Sequence, residues 1–192
     1  MAGTKNIKMR KVIAAINTTL DGVCDHTAGV PDEAIHQHYT NLLGQGGVIL
    51  YGRTTYQLME FWRSILENPS EEKSMNGFAM AIDKIPKIVF SCTLKEIDWK
   101  TAKLADRSLE EEVLELKKQS GKDIFIGSRS LIIQLMNLNL IDEYQLCVHP
   151  VIAGKGLLLF ESISDRTILK LIKTKTFGNG TVILYYSPNN RN

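Results

Sequence analysis

Three short stretches of this sequence combine glycine, hydroxyl and guanidinium groups in the way a phosphate site needs: Gly52-Arg53-Thr54-Thr55, Ser91-Cys92-Thr93 and Gly127-Ser128-Arg129-Ser130. Glycine lets a backbone approach a phosphate closely, hydroxyls donate hydrogen bonds, and a guanidinium offers a planar fork that matches phosphate oxygens. Each stretch follows a short apolar run, at 48–51, 87–90 and 123–126, that reads as a strand. In an open α/β sheet, ligands bind at the carboxyl ends of strands, where helix N-termini present unpaired N–H groups and positive dipole ends. One such junction alone is as often a plain helix cap. Three on one sheet edge point to a phosphorylated cofactor.

Other chemistry is narrower. The chain has neither G-x-G-x-x-G between a strand and a helix nor G-x-x-x-x-G-K-[ST], which excludes the ordinary dinucleotide and P-loop arrangements. Gly154-Lys155-Gly156 reads as a glycine-permitted turn. Asp21-Gly22 suits a turn. His36 and His38 lie two apart on a helical stretch and so point to different faces, which argues against a shared metal site. Cys24, Cys92 and Cys147 fit neither a disulfide framework nor a zinc set, and are expected as reduced thiols in or near the core. No metal is expected.

The elements that must position these groups alternate in type. Residues 12–16 form a nearly continuous apolar run, as in a strand buried on both faces. A helix is expected over 34–43, stopped by Gly44-Gln45-Gly46-Gly47, then the strand at 48–51, a helix over 54–66 and a further short helix over 75–82. Ser108 with Glu111 forms a capping box for a helix that Gly121 should end. Residues 131–136 form a helix with Leu131, Leu135 and Met136 inward, and strands at 144–148, 169–177 and 181–186 follow, the last two joined by Gly178-Asn179-Gly180. The expected fold is α/β: a central mixed, mostly parallel sheet with helices on both faces and an antiparallel C-terminal hairpin at one edge. Lys170, Lys173 and Lys175 read as a solvated edge that discourages aggregation.

A length of 192 residues with 44% hydrophobic content suits one domain, here 11–187 between flexible termini 1–10 and 188–192. The formal charge of +2, from 23 Lys and Arg against 21 Asp and Glu, gives no general reason to expect nucleic acid or a membrane surface as partner. A polar, basic start with no apolar stretch of signal or spanning length implies a cytoplasmic protein.

Val-Ile-Leu-Tyr-Gly-Arg-Thr-Thr-Tyr (48–56), Ile-Phe-Ile-Gly-Ser-Arg-Ser-Leu (124–131) and the stretch 140–156 resemble the dihydrofolate-reductase-like superfamily. The nearest branch is the reductase (C-terminal) domain of the bifunctional riboflavin biosynthesis deaminase-reductase, whose Ser-Leu-Asp-Gly element is matched by Thr19-Leu20-Asp21-Gly22. The resemblance covers about residues 11–186. It implies an NADPH-dependent reductase that transfers a hydride to a small pyrimidine- or pterin-like heterocycle, as the 5-amino-6-(5-phosphoribosylamino)uracil reductase does. It also implies a homodimer, for which the apolar segment 157–160 offers surface. Carried over by position, it places Gly52, Arg53, Thr54 and Thr55 along the cofactor phosphates and Ser91 near the adenosine 2′-phosphate. Gly127, Ser128, Arg129, Ser130 and Leu131 would surround the pyrophosphate. Thr19, Leu20 and Asp21 would border the nicotinamide and substrate, with Asp21 the catalytic candidate.

Two departures bear on substrate. Residues 34–39 lack the helix carboxylate that dihydrofolate reductases turn toward the pterin, and residues 12–52 contain no Lys or Arg to hold a ribose phosphate. The alternatives are therefore an NADPH-binding protein without that activity, or a reductase of an unphosphorylated substrate. The H-x-E and P-C-x-x-C signature of a zinc deaminase is absent from this chain.

Overall fold

The apolar runs assemble into one eight-stranded sheet, seen in a computed structural model that describes residues 9–189. In chain order the elements are β1 (Val12–Thr19), α1 (Glu33–Gln45), β2 (Gly46–Gly52), α2 (Arg53–Met59), α3 (Phe61–Glu67), α4 (Lys73–Lys84), β3 (Lys87–Phe90) and β4 (Ala102–Leu104). Then come α5 (Leu109–Lys118), β5 (Asp123–Ile126), α6 (Arg129–Asn137), β6 (Glu143–His149), β7 (Leu169–Thr176) and β8 (Val182–Pro188). The strand order is β4-β3-β2-β5-β1-β6-β8-β7. The first six of these are parallel, and β8 runs antiparallel to both β6 and β7. The expected mixed, mostly parallel sheet with an antiparallel C-terminal hairpin is what forms.

Strand β1 lies in the middle because both of its faces are apolar. Val12, Ala14 and Ile16 join a core with Val113 and Leu116 of α5 and Leu131, Ile132 and Leu135 of α6. Ile13, on the opposite face, packs in a second core with Leu43 of α1 and Ile82 of α4. Helices thus cover both faces, as a buried parallel sheet requires. Local signals hold the ends. The Asp32 side chain accepts the Ile35 N–H at the start of α1, and Ser108 and Glu111 cap α5 reciprocally.

The departures from expectation have local causes. Helix α1 continues through Gly44, whose carbonyl is taken by Lys122 Nζ at 2.8 Å, and the break comes at Gly46, where a Cβ would stand 2.5 Å from the Phe125 ring. The single helix expected over 54–66 is two, because the Arg63 N–H bonds to Glu60 O three residues back and tightens the chain there. Helix α5 ends at Lys118 with Gln119 as its cap, ahead of Gly121. Strand β4 has three residues and carried no pattern to find. Of the termini expected to be flexible, residues 1–8 and 190–192 lie outside the described residues. Arg10 is buried with its Nε on Lys122 O, and Pro188 closes β8. Cys147 is buried and Cys24 half-buried, but Cys92 is exposed, a departure from the expected core thiols. Among the described residues no helix is long and apolar enough to cross a membrane.

Candidate active site

Strands β2 and β3 pair in register with Gly52 opposite Phe90, so Arg53 and Ser91 emerge side by side at the carboxyl edge of the sheet. Arg53 Nη1 donates to Thr93 Oγ1 at 2.9 Å. Ser91 Oγ, 3.4 Å from the same hydroxyl, accepts the N–H groups of Thr93 and Leu94 and shapes the turn. The Gly52 N–H donates to the buried Ser128 Oγ at 2.9 Å, which pins the end of β2 to the turn after β5.

Around these residues lies a cleft of about 470 Å³ lined by Gly52, Arg53, Thr54, Thr55, Ser91, Ser130 and Leu131, all expected from the sequence. Arg107, Cys92, Ser108 and Gln134 line it as well. Arg107 escaped sequence reasoning because it sits in no glycine-rich turn. The usable signal was a basic residue directly before a capped helix. Its Nη1 stands 3.8 Å from Glu112 Oε2, too far for a hydrogen bond.

The donor set fits a dinucleotide with an extra phosphate. Two guanidinium groups and several hydroxyls face one cleft, and a Cβ on Gly52 would crowd Ser130 Oγ at 3.2 Å. Gly127 meets nothing nearer than Ala15 O at 3.7 Å from an added Cβ, so no protein neighbour demands a glycine there. Ser128 is the N-cap of α6 yet makes no side-chain cap bond, its hydroxyl being held by Gly52. The first-turn N–H groups of α6 therefore lack a side-chain acceptor, at the positive end of the helix dipole.

Arg129 does not join the cleft as the resemblance implied. Its Nε donates to Leu158 O at 2.7 Å and its Nη2 pairs with Glu161 at 2.6 Å, so its guanidinium ties α6 to the loop after β6.

Thr19, Leu20 and Asp21 lie together at the end of β1, against that same loop. The Thr19 hydroxyl donates to Asp21 Oδ1, while the Ala153 and Gly154 N–H groups reach the two Asp21 oxygens at 3.1 and 2.7 Å. These bonds, that of Thr19 foremost, hold the Asp21 pKa down to about 2. Asp21 is thus anionic at neutral pH, and the geometry makes it a clamp on residues 153–154. Leu20 is exposed.

A second region was missed in the sequence. On the α1 face of the sheet the core is split into two clusters, one with Ile13 and Phe125 and one with Ile35, Cys147 and Ile183. Ala15 and Asn17, in a central strand between them, remain partly exposed. Asn17 Oδ1 takes a hydrogen bond from Tyr39 OH at 3.0 Å and lies 3.1 Å from Nε2 of the buried His149. Burial lowers the His149 pKa and raises that of Tyr39 well above its ordinary value, so both stay neutral. An amide directly after a run as apolar as 12–16, within the same strand, was a signal that could have been read. His36 packs against Trp62 and Phe78, and His38 against Tyr39 and Phe177, on different sides of α1 as expected.

The sequence model of the RibD C-terminal domain matches residues 10–183. The Bacillus subtilis (strain 168) protein YyaP is 38% identical over 190 residues, covering 97% of this chain and 99% of its own. A Shewanella sp. PV-4 protein provisionally ascribed to riboflavin biosynthesis superposes with a TM-score of 0.70 at 18% identity, over 94% of this chain and 99% of that one. Dihydrofolate reductase from Enterococcus faecalis, complexed with NADP(H) and RAB-propyl, superposes with a TM-score of 0.61 at 14% identity, over 94% and 97% of the two chains. The fold is that of dihydrofolate reductase.

Proposed function

The chain belongs to the RibD C-terminal domain family, and from that footing we propose that it is an NADPH-dependent reductase of a small pyrimidine- or pterin-like heterocycle. The observation that carries this reading is the cleft at the ends of β2, β3 and β5, where Arg53, Ser91 and Arg107 meet beside the uncapped start of α6. Arg53 and Ser91 would hold the 2′-phosphate, with Arg107 as a second cation. Gly52, Thr54, Thr55, Ser130 and Leu131 would line the cofactor's phosphates, and the backbone of Gly127, Ser128 and Arg129 would bring the α6 N–H groups to the pyrophosphate. Bound NADPH would supply a hydride to an electrophilic C=N or C=O carbon.

The protein's own part is orientation and exclusion of water. Thr19 and Leu20 would border the nicotinamide. Asp21, held anionic, cannot donate the proton that such a reduction consumes. It fixes the loop at 153–154 and could accept from a substrate N–H, while water delivers the proton.

One observation favours a substrate without phosphate. Asn17, Tyr39 and His149 are neutral, and none has a Lys or Arg among its hydrogen-bond partners. None of the three groups itself matches a phosphate charge, and the lysines of that face, Lys173 and Lys175, lie over the Tyr185 ring and beside His38.

Quenching of Trp62 or Trp99 fluorescence by NADPH, followed by loss of NADPH absorbance on adding heterocycles, tests the proposal. Absence of NADPH binding overturns it. Binding with no oxidation across a broad panel leaves a cofactor-binding protein without the activity.

A second copy of this chain is the partner in this reading. Leu20, Ile152, Leu157, Leu158 and Phe160 are apolar and 46–76% exposed, on segments that hydrogen-bond to one another through Leu20–Val151, Cys24–Leu157 and Leu159–Gly22. Light scattering should give a dimer at about tens of micromolar, and a monomer there refutes it.

A further inference from the structure

Asn17 lies at the sixth position of β1, where the strand stops being apolar and the core beneath α1 divides. Which way its amide faces is settled by its neighbours. His149 Nδ1 accepts the Val30 N–H at 3.3 Å, with the Thr181 hydroxyl at 3.4 Å on the same nitrogen. The proton of the neutral imidazole therefore resides on Nε2, which can only donate. The Asn17 atom 3.1 Å from it must be the oxygen, and Tyr39 OH donates to that oxygen as well. The packing is tight, since a Cβ on Gly29 would stand 2.9 Å from the imidazole. Two donors thus lock Oδ1. Nδ2 has no protein partner among the described residues.

On the adjacent strand, Gln145 sits opposite Ala15 in register and so shares a face with Ala15 and Asn17. Its Nε2 donates to Glu143 Oε1 at 2.8 Å, and its Oε1 is buried without a hydrogen-bond partner. A locked donor and an unmatched acceptor stand on neighbouring strands beside the partly exposed Ala15.

We infer that Asn17 is a specificity-determining residue, its Nδ2 donating to a carbonyl of the substrate whose adjacent ring N–H faces Gln145, with His149 and Tyr39 as positioning residues. The inference rests on the reductase reading for the place of the substrate, but not on the cofactor. A ring that presents C=O beside N–H satisfies both side chains, and one that presents an amino group beside a bare ring nitrogen opposes both.

The test compares 4-pyrimidinone with 4-aminopyrimidine by calorimetric titration, with and without saturating NADPH. The wild-type protein should bind the pyrimidinone about tenfold or more tighter, as one matched against one unmatched hydrogen bond implies. Asn17→Asp keeps an oxygen for Tyr39 and His149 but turns an acceptor to the ligand, so the preference should invert. Asn17→Ala should shrink it several-fold, to the part that Gln145 alone supplies, and serves if the aspartate variant does not fold. NADPH affinity should stay within about twofold in both variants, because Asn17 is assigned to the substrate alone. Equal binding of the two probes to wild type, no binding of either, or an Asn17→Asp protein that still prefers the pyrimidinone overturns the inference. Failure of NADPH to bind, with the probe preference intact, overturns the cofactor reading and leaves Asn17 in its role.

Discussion

Replacing Arg53 by alanine should convert a protein that prefers NADPH into one that barely distinguishes it from NADH. Arg53 Nη1 is committed to Thr93 Oγ1 at 2.9 Å, which aims the guanidinium beside Ser91 and leaves its remaining donors free. A 2′-phosphate gripped by two such donors gains about 1.5–3 kcal/mol net, or roughly 10–150-fold in affinity. Arg53 is exposed, and solvent screening pulls the figure toward the lower end. Arg107 lines the same cleft, held loosely at 3.8 Å from Glu112, and retains part of the attraction when Arg53 is gone. Arg53→Ala should then weaken NADPH about 10–30-fold and leave NADH within about twofold, because only NADPH carries the phosphate. Arg53→Lys should recover the preference in part, since a point charge lacks the fork. Fluorescence titration with both nucleotides at low and moderate salt provides the measurement, and the wild-type preference should shrink as salt rises. Equal binding of both nucleotides by wild type, or an alanine variant that loses both to the same degree, would refute the placement.

Three further outcomes follow from contacts described above. Asp21→Asn offers one acceptor where two backbone N–H groups need two, so the Gly154 amide should exchange faster and turnover fall while NADPH affinity stays within about twofold; unchanged exchange at Gly154 removes the clamp. His38 is held neutral, its pKa pushed from 6.5 down to about 4 by burial and by Lys175 and Lys173. Its contribution to stability is therefore complete above pH 6.5 and lost as the pH falls toward 4. Tm should fall less steeply across that window in His38→Gln, and an identical slope would count against it. Gly46→Ala forces a methyl group to within 2.5 Å of the Phe125 ring and 3.0 Å of Ile85 Cδ1. Urea unfolding should register a loss of about 1–3 kcal/mol, and a neutral result would mean that strand β2 shifts freely.

Much of the fold was legible because its signals are local. The runs at 87–90 and 123–126 become β3 and β5 residue for residue, and Ser108 caps α5 through the box its spacing announced. The cofactor side was legible for the same reason: glycine and hydroxyl turns after buried strands declare themselves in a few consecutive residues. Arg129 shows the limit of that method, since its partners Leu158 and Glu161 belong to a loop that composition does not bring near. Asp21 shows another, for its turn-making and substrate-facing roles look alike until Ala153 and Gly154 are seen on its oxygens. Asn17, Tyr39 and His149 come from three separate elements, and only the pairing of β1 with β6 under α1 makes them neighbours.

The central position of β1 has a consequence for the protein's birth. Its partner on one side begins with the Val12–Ile124 pair, and its partner on the other spans Glu143–His149. The Lys11 N–H closes its first bond to Asp123 across 112 residues of sequence. At about 5–20 residues per second of synthesis, that strand leaves the ribosome roughly 6–20 s before β5 exists to pair with it. Strand β2 waits less, because β3 follows after three helices, α2 to α4, and supplies a parallel edge of its own. During that interval residues 12–16, the most apolar stretch of the chain's first quarter, have two unpaired strand edges and no helix over either face. The strand made first is not enclosed until β6 has been made, so the nascent chain is most prone to aggregate, and most in need of a chaperone, before residue 149 has emerged.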